Sequence, residues 1–301
     1  MRVSVGVTAL SSMEEICWLL LMLLCSIAEL VSAKTPPTMN TASCPVPSPC
    51  ECERTADRLV LNCRQQRLSA VPTFSQSDEL IDELTLAGNN IAALTDNAFR
   101  GLKVRRLDLK DNRLSSVSPA AFTGLERHLR ELHIQLAPTI EFPSEALKPL
   151  TLLRVLHVIG FGGSYLPSGA LAPLGLVREL RLTNGGLRRL SPVDVTTMRA
   201  SLSVVDLSGN PLRTVPTAAL ATLSNLTEVI LSGCYIAHLG AQAFATNWTR
   251  LRRIDLSRNQ LEVCSSVILL FVPISFEFQS VIVIVDLLDK IRYSVGRTLR
   301  T

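Results

Sequence analysis

The residues with the clearest chemical potential in this chain are four closely spaced cysteines, Cys44, Cys50, Cys52 and Cys63. Four thiols within 20 residues either form two disulfide bonds or hold a zinc ion. The redox character of the compartment decides between these alternatives. In both cases the cluster has a structural role, so it supplies no free nucleophile.

The beginning of the chain favours an oxidising compartment. Residues 1–33 have the features of a secretory signal peptide, with Arg2 before an apolar stretch at 16–27 and a small-residue cleavage site at 31–33. The apolar stretch is short for a membrane span, so a cleaved leader is favoured and a signal anchor is the alternative. We therefore expect the chain in the secretory pathway, extracellular or at the cell surface, with disulfides rather than zinc.

No sequence motif indicates catalysis. The chain has no G-x-S-x-G elbow, no H-E-x-x-H pair, no P-loop and no dinucleotide-binding fingerprint, and it contains only four histidines. We expect no enzymatic activity, no cofactor and no resident metal. The net charge of +4 is modest and mixed in sign along the chain, which excludes the basic stripe that nucleic-acid binding requires.

The elements that must position any binding residues repeat along the chain. Each repeat opens with two apolar residues two positions apart, as in Leu84 and Leu86, and in repeats one, two, six and eight an asparagine follows in the turn, as in Asn89. The first residues of the eight repeats are Leu84, Leu107, Leu132, Leu156, Leu180, Val205, Val229 and Ile254. The intervals are 23 to 25 residues, which predicts stacked coils that share one continuous core.

This pattern, LxxLxLxxNxLxxL, resembles the leucine-rich repeat family. The resemblance implies an α/β solenoid of eight repeats, a curved horseshoe with a parallel β-sheet on its concave face. It also implies that Asn89 and its counterparts bond to backbone groups of the turn. Repeats three to five instead carry Ala137, Phe161 and Gly185 at that position. We expect these departures to be either neutral drift or an irregular rim used for contact.

The resemblance extends to the cysteines, whose spacing is similar to that of the N-terminal cap of extracellular leucine-rich repeat proteins. Sequence alone permits three pairings, and the resemblance implies Cys44–Cys52 and Cys50–Cys63. A cap is needed because the first coil would otherwise expose its apolar end and an open strand edge. The predicted segments are a flexible start at 34–43, the cap at 44–75 and the repeats at 76–266.

The end of the chain departs from the family pattern because a second cysteine-rich cap is missing. Residues 267–288 are apolar apart from polar positions such as Glu277 and Gln279, and residues 289–301 are basic. Three interpretations compete: a single membrane span at 267–285, an atypical cap over the last coil, or a truncated product. Cys234 and Cys264 fall on core positions, where buried thiols are expected.

Strand alternation places the predicted partner-binding residues on the concave face of repeats two to five. His133 and His157 share a column on neighbouring strands, about 4.8 Å apart by sheet spacing, where two imidazoles could hold a metal or sense acid pH. No third metal ligand is evident beside them unless Glu131 or Glu179 serves. The predicted partner-binding residues are Arg106, Asp108, Lys110, His133, His157, Ile159, Glu179 and Arg181.

Recognition is the function that these features favour. By resemblance, we expect an extracellular protein-binding module of a receptor or adhesion molecule, with a secreted matrix or soluble decoy protein as the alternative. Asn225 and Asn247 each begin an N-x-T sequon, which predicts N-linked glycans on one loop edge of the later repeats.

Overall fold

The computed structural model describes residues 49–74, 78–239, 243 and 250–261, together with the backbone of residues 282–284. These residues belong to the unit Ser43–Thr301, and the other unit, Met1–Ala42, lies outside the described residues. The predicted leader at 1–33 and the segment at 34–43 are therefore not among them.

Short strands dominate the described residues, and eleven of them form one sheet in the order β1-β2-β3-β5-β7-β8-β9-β10-β11-β12-β13. The first two strands pair antiparallel, and each later strand joins its neighbour in parallel. Strands β4 and β6 form a separate two-stranded sheet. The strands are β1 (Glu51–Arg54), β2 (Leu59–Asn62), β3 (Leu80–Thr85), β4 (Ala93–Leu94), β5 (Lys103–Leu114), β6 (Ser116–Val117), β7 (Glu131–Leu136), β8 (Val155–Ile159), β9 (Glu179–Thr183), β10 (Val204–Asp206), β11 (Glu228–Ile230), β12 (Arg253–Asp255) and β13 (Ile282–Ile284).

The sheet has the repeat register that the sequence predicts. Leu84 pairs with Leu107, Leu107 with Leu132, and the same position continues through each later repeat to Ile254. All eight of these residues are at most 1% exposed, as are the residues two positions later, such as Leu86. The structure is thus the parallel-sheet solenoid that the repeats predict, with one continuous core.

Within the described residues helices are few and short, because each coil returns outside the sheet through turns. They are α1 (Ser144–Leu147), α2 (Pro192–Val195), a 3-10 helix (Thr196–Met198) and α3 (Thr217–Leu220). Phe99 and Phe122 stack beneath the returns of the first two repeats with ring centroids 6.0 Å apart. The returns therefore close the core opposite the sheet with apolar contacts rather than with long helices.

The turn asparagines bond to backbone groups as the family resemblance implies. In the sixth repeat, the Asn210 side chain is fully buried. Its Nδ2 donates to the carbonyl oxygens of Leu182 and Leu207 at 2.6 and 2.8 Å, and its Oδ1 accepts from the Leu187 N–H at 3.2 Å. Asn89, Asn112 and Asn259 make equivalent bonds, so each amide joins one coil to the coil before it.

Repeats four and five satisfy their turns differently. Phe161 takes the asparagine position, is 1% exposed and meets Phe142 edge-on, with centroids 5.9 Å apart. A Cβ on Gly185 would lie 2.6 Å from the Phe161 ring, so the ring occupies the space of the next side chain. The N–H of Gly186 donates directly to the Phe161 carbonyl at 2.8 Å. The buried ring and its glycine partner are a packing unit, which neither the drift nor the contact interpretation anticipates at this position.

The two ends of the solenoid are described only in part. Cys50 and Cys63 form a disulfide bond where the hairpin of β1 and β2 begins the sheet. Cys52 is disulfide-bonded too, but its predicted partner, Cys44, lies outside the described residues, so that pairing stays a prediction.

At the other end, residues 282–284 form β13 and pair in parallel with β12. The rest of 267–288, the basic tail at 289–301 and Cys264 lie outside the described residues. Within the part of the chain that is described, no helix has both the length and the apolar character needed to cross a membrane.

Candidate protein-binding face

The concave face is built from side chains that alternate with the buried residues of strands β3 to β12. Two columns carry most of its charge, one just before and one just after the first core residue of each repeat. Parallel pairing aligns Asp108, His133, His157, Arg181 and Asp206 in the second column. The structure thus brings the predicted partner-binding residues together on neighbouring strands.

At the N-terminal side of this face, the charged residues neutralise one another. Arg106 lies between Glu83 and Glu131, with nitrogen–oxygen distances of 3.8 and 3.0 Å. The Lys110 ammonium lies 3.5 Å from the Asp108 carboxylate, which also accepts the backbone N–H of Lys110. Asp108 is only 7% exposed, so it supports its neighbours more than it offers a contact surface.

A second charged cluster surrounds Arg181. Its guanidinium meets Glu179 at 2.5 Å and Asp206 at 3.2 Å, and these side chains are between 11% and 30% exposed. Burial opposes the charge, but the hydrogen bond and negative charge of Glu179, together with Asp206, raise the pKa of Arg181. Arg181 is therefore a fixed cation held between two carboxylates.

Between the two clusters lie the histidines. The rings of His133 and His157 meet edge-on with centroids 5.7 Å apart. Burial, reinforced by the positive charge of Arg106, lowers the pKa of His133 to about 4. Burial and then the charge of Arg181 also lower the pKa of His157. Both imidazoles are consequently neutral at physiological pH.

The histidines form part of a neutral window on the concave face, defined here as His133, Gln135, Val155, His157 and Ile159. These five side chains are half-buried. Nε2 of His157 lies 3.3 Å from the Thr183 hydroxyl, whereas neither ring nitrogen of His133 has a partner among the described residues. Both ring nitrogens of His133 are buried, so the window is a partly apolar surface between two ion-paired clusters.

The arrangement does not suit metal binding. Among the ranges described above, no set of three or more histidine, cysteine, aspartate or glutamate side chains could hold a metal ion. The carboxylates whose charge acts on the two rings, Asp108, Glu179 and Asp206, are engaged by Lys110 and Arg181.

One exposed feature was missed by sequence reasoning. Tyr165 is 61% exposed, and the guanidinium of Arg189 lies over its ring at 5.8 Å from the centroid. Both residues stand nine positions after the first core residue of their repeats, so the recurring spacing could have placed them side by side. They lie on the turn edge of the sheet, beside the glycine-rich turns of repeats four and five.

The remaining predicted sites are partly described. Asn225 is half-buried; its Nδ2 donates to the Ala200 carbonyl, and its Oδ1 accepts from Arg250 at 2.9 Å. Asn247 lies outside the described residues, and glycosylation of both asparagines stays a prediction. Cys234 is a buried free thiol that donates to the Leu207 carbonyl at 3.2 Å, and burial raises its pKa to about 11.

Comparisons with known proteins agree with the fold. Residues 80–136 match the family model described as "Leucine rich repeat". "Leucine-rich repeat-containing protein 3" of Bos taurus is 34% identical over 118 residues, which are 38% of this chain and 44% of that protein. "Leucine-rich repeat-containing protein 3C" of Homo sapiens is 39% identical over 88 residues, which are 27% of this chain and 31% of that protein.

A more distant similarity is to "Leucine-rich repeat-containing protein let-4" of Caenorhabditis elegans, with 30% identity over 99 residues, 31% of this chain and 13% of that protein. The matched stretch spans less than half the length of each of these relatives. The similarity therefore supports a protein-interaction scaffold without identifying its partner.

Proposed function

We propose that this leucine-rich repeat protein is an extracellular protein-binding module of a cell-surface receptor or adhesion molecule. Its partner docks on the concave strands of repeats two to five. Solenoids present long surfaces on which several strands can contact one partner. Function in such folds depends on the surface chemistry rather than on the fold itself.

The neutral window is the observation that carries the proposal. Protein interfaces concentrate their binding energy in a desolvated centre that a polar rim surrounds. Val155 and Ile159 supply apolar area, and the half-buried rings of His133 and His157 supply neutral aromatic surface. The clusters around Arg106 and Arg181 supply the rim. Because those charges are already paired, docking there does not leave a buried ion uncompensated.

The Cys50–Cys63 disulfide supports the extracellular compartment, because such bonds persist mainly where conditions are oxidising. The alternative, a secreted matrix or soluble decoy protein, is favoured by the pairing of residues 282–284 with β12. That pairing places part of the apolar tail beside the last repeat.

The binding face is tested by mutation against an identified partner. Proximity labelling with the full chain displayed on cells provides the candidate partner, whose affinity is then measured with purified protein. We expect His157→Ala with Arg181→Ala to weaken binding by more than about fivefold, corresponding to about 1 kcal/mol. Arg188→Ala, an exposed change in the turn of repeat five, serves as the control and should bind normally. Undiminished binding by the double variant, with an unchanged circular dichroism spectrum, would contradict the concave-face assignment.

The compartment is tested separately. We expect an N-glycosidase to shift the electrophoretic mobility of the expressed chain, and the shift to shrink in Asn225→Gln. Carbonate washing distinguishes the two versions of the proposal, since it releases a secreted or peripheral protein and leaves a spanning protein in the membrane pellet. A chain that is never glycosylated and stays in the cytosol would contradict both versions.

A further inference from the structure

A row of arginines lies at the edge of the sheet, outside the concave face. The residue two positions before the first core residue is arginine in four consecutive repeats: Arg105, Arg130, Arg154 and Arg178. The N–H of Arg130 donates to the Arg105 carbonyl at 2.8 Å, and the same bond links Arg154 to Arg130 and Arg178 to Arg154 at 2.7 and 2.8 Å. The four side chains therefore begin one strand apart, about 4.8 Å, and on the same edge.

The first of these arginines is neutralised and the other three are not. Arg105 pairs at 2.8 Å with Asp82, which holds the same position in the first repeat. Within the described part of the chain, no carboxylate lies within ion-pairing distance of Arg130, Arg154 or Arg178. Residues 146–178 contain no aspartate or glutamate at all. We call Arg130, Arg154 and Arg178 the arginine ladder.

The arginine ladder contrasts with the charges of the concave face. There, Arg106 and Arg181 each lie between two carboxylates. In the arginine ladder, like charges occupy neighbouring strands in register, an arrangement that is unfavourable without counter-charges. Arg154 and Arg178 are exposed, and the guanidinium of Arg130 is held by the carbonyls of Leu129 and Arg127 at 3.1 and 3.3 Å. One cation is thus pre-oriented and the other two are open to solvent.

We infer that the arginine ladder binds a linear sulfated polysaccharide. The guanidinium fork matches the oxygens of a sulfate group, and three forks in a line match an anionic chain better than a single point charge. An extended acidic peptide would present side chains on one face only every ~6.6 Å, compared with the ~4.8 Å separation of the strands.

This inference depends on the proposed function only for the source of the ligand, because sulfated polysaccharides are found outside cells. The binding surface is separate from the neutral window. Failure of the two proposals is therefore distinguishable: the His157→Ala and Arg181→Ala variant should retain full affinity for the polysaccharide.

Heparin is the probe, and the full chain is titrated on immobilised heparin over a series of salt concentrations. We expect Arg154→Ser with Arg178→Ser to bind about tenfold more weakly and to lower the slope of log affinity against log salt by about two. The matched control is Arg113→Ser with Arg188→Ser, which removes the same charge from two exposed residues, one near the end of β5 and one in the turn of repeat five. Its affinity should stay within about twofold of the parent, because binding depends on the position of the charges rather than on their sum.

Several outcomes would overturn the inference. Equal loss in both double variants would show a general response to net charge, and no loss in either would exclude the ladder. Ladder-dependent binding to polyglutamate or to phosphatidylserine vesicles, with no preference for heparin over desulfated heparin, would contradict the polysaccharide assignment. If the serine pair melts at a lower temperature, Arg154→Gln with Arg178→Gln repeats the test with longer side chains.

Discussion

Two groups of coils complete the same turn with different chemistry. In repeats one, two, six and eight, an asparagine side chain, buried in the first three and half-buried in the last, bonds to backbone groups of its own coil and the preceding coil. In repeats four and five, the ring of Phe161 fills that position, and backbone N–H groups reach the neighbouring coil directly. The first solution depends on one residue per coil. The second depends on matched residues in successive coils, since Phe161 needs the missing side chain of Gly185.

The comparison is tested most strongly by placing the asparagine of the regular coils into the irregular one. We expect Phe161→Asn to lower the free energy of unfolding by about 3–5 kcal/mol, because a buried ring is lost and the smaller amide leaves a cavity. Phe161→Leu, which keeps the site apolar, should cost less than about 1.5 kcal/mol. Denaturant unfolding measures both. Equal stability of Phe161→Asn and the parent would show that the two kinds of turn are interchangeable.

The reverse test removes an amide from a regular coil. Asn210→Ala should cost about 2–4 kcal/mol, because the carbonyls of Leu182 and Leu207 and the N–H of Leu187 lose their buried partner. Cys234→Ala is the milder comparison, at about 1 kcal/mol, because it removes a weak thiol donor from the equivalent position in the next coil. Denaturant unfolding measures the free energy of unfolding of both variants. A larger loss of stability for Cys234→Ala than for Asn210→Ala would be inconsistent with the role of the amide.

Close backbone approach in the irregular turns gives a third test. A Cβ on Gly162 would lie 2.2 Å from the Pro138 carbonyl oxygen. We expect Gly162→Ala to cost about 2–3 kcal/mol, because backbone must move to relieve the overlap. A Cβ on Gly175, in the same repeat, would lie 3.4 Å from the Thr197 carbonyl oxygen, which is an ordinary contact. The free energy of unfolding of Gly175→Ala should therefore stay within about 0.5 kcal/mol of the parent. Similar melting temperatures for the two variants would contradict this account.

The irregular repeats also carry the histidine pair, which makes the stability of the protein depend on pH. This is the smallest of the expected effects. Burial lowers the pKa of His133 in the folded state from 6.5 to about 4, so the unfolded chain binds the proton more readily between these values. Stability contributed by the neutral ring is complete above pH 6.5 and is lost as the pH falls toward 4. After allowance for solvent screening, we expect the neutral His133 ring to contribute about 1 kcal/mol to the free energy of unfolding.

Unfolding of the parent and of His133→Gln, measured from pH 7 to pH 4.5, isolates the histidine from the carboxylates that titrate in both proteins. The stability difference between the two should change across this range. Parallel pH profiles would exclude the histidine as the source. The groups that face the pair, and that both proteins retain, are Arg106, Asp108, Lys110, Glu179, Arg181 and Asp206.

The repeat positions and the strand register were predictable, because two apolar residues per coil at a period of 23 to 25 leave a single way to align neighbouring strands. The role of Asn89 was implied by the resemblance to the leucine-rich repeat family. The packing of Phe161 was not, since it depends on a contact with a glycine 24 residues later. A large residue followed one repeat later by glycine at the same position is the signal that would have revealed it.

The candidate face was predicted at the level of position and not of chemistry. Alternation placed Asp108, His157 and Arg181 on one surface, as the structure shows. It could not show that Asp108 is 7% exposed or that Arg181 lies between two carboxylates, because those properties depend on side-chain distances across strands. The binding role of this surface stays a proposal.

The interrupted row of amides has a consequence for how the chain opens. In a stack of coils, each coil is stabilised by its neighbours, so the cross-coil bonds set how far a local opening spreads. Asparagine side chains bond repeat one to the cap, repeat two to repeat one, repeat six to repeat five and repeat eight to repeat seven. Among the described residues, no asparagine at this position bonds repeat three, four or five to the coil before it. We expect native-state hydrogen exchange to resolve two cooperative units that meet near Phe161. The neutral window would then lie across their junction, where partner binding would slow exchange in both units.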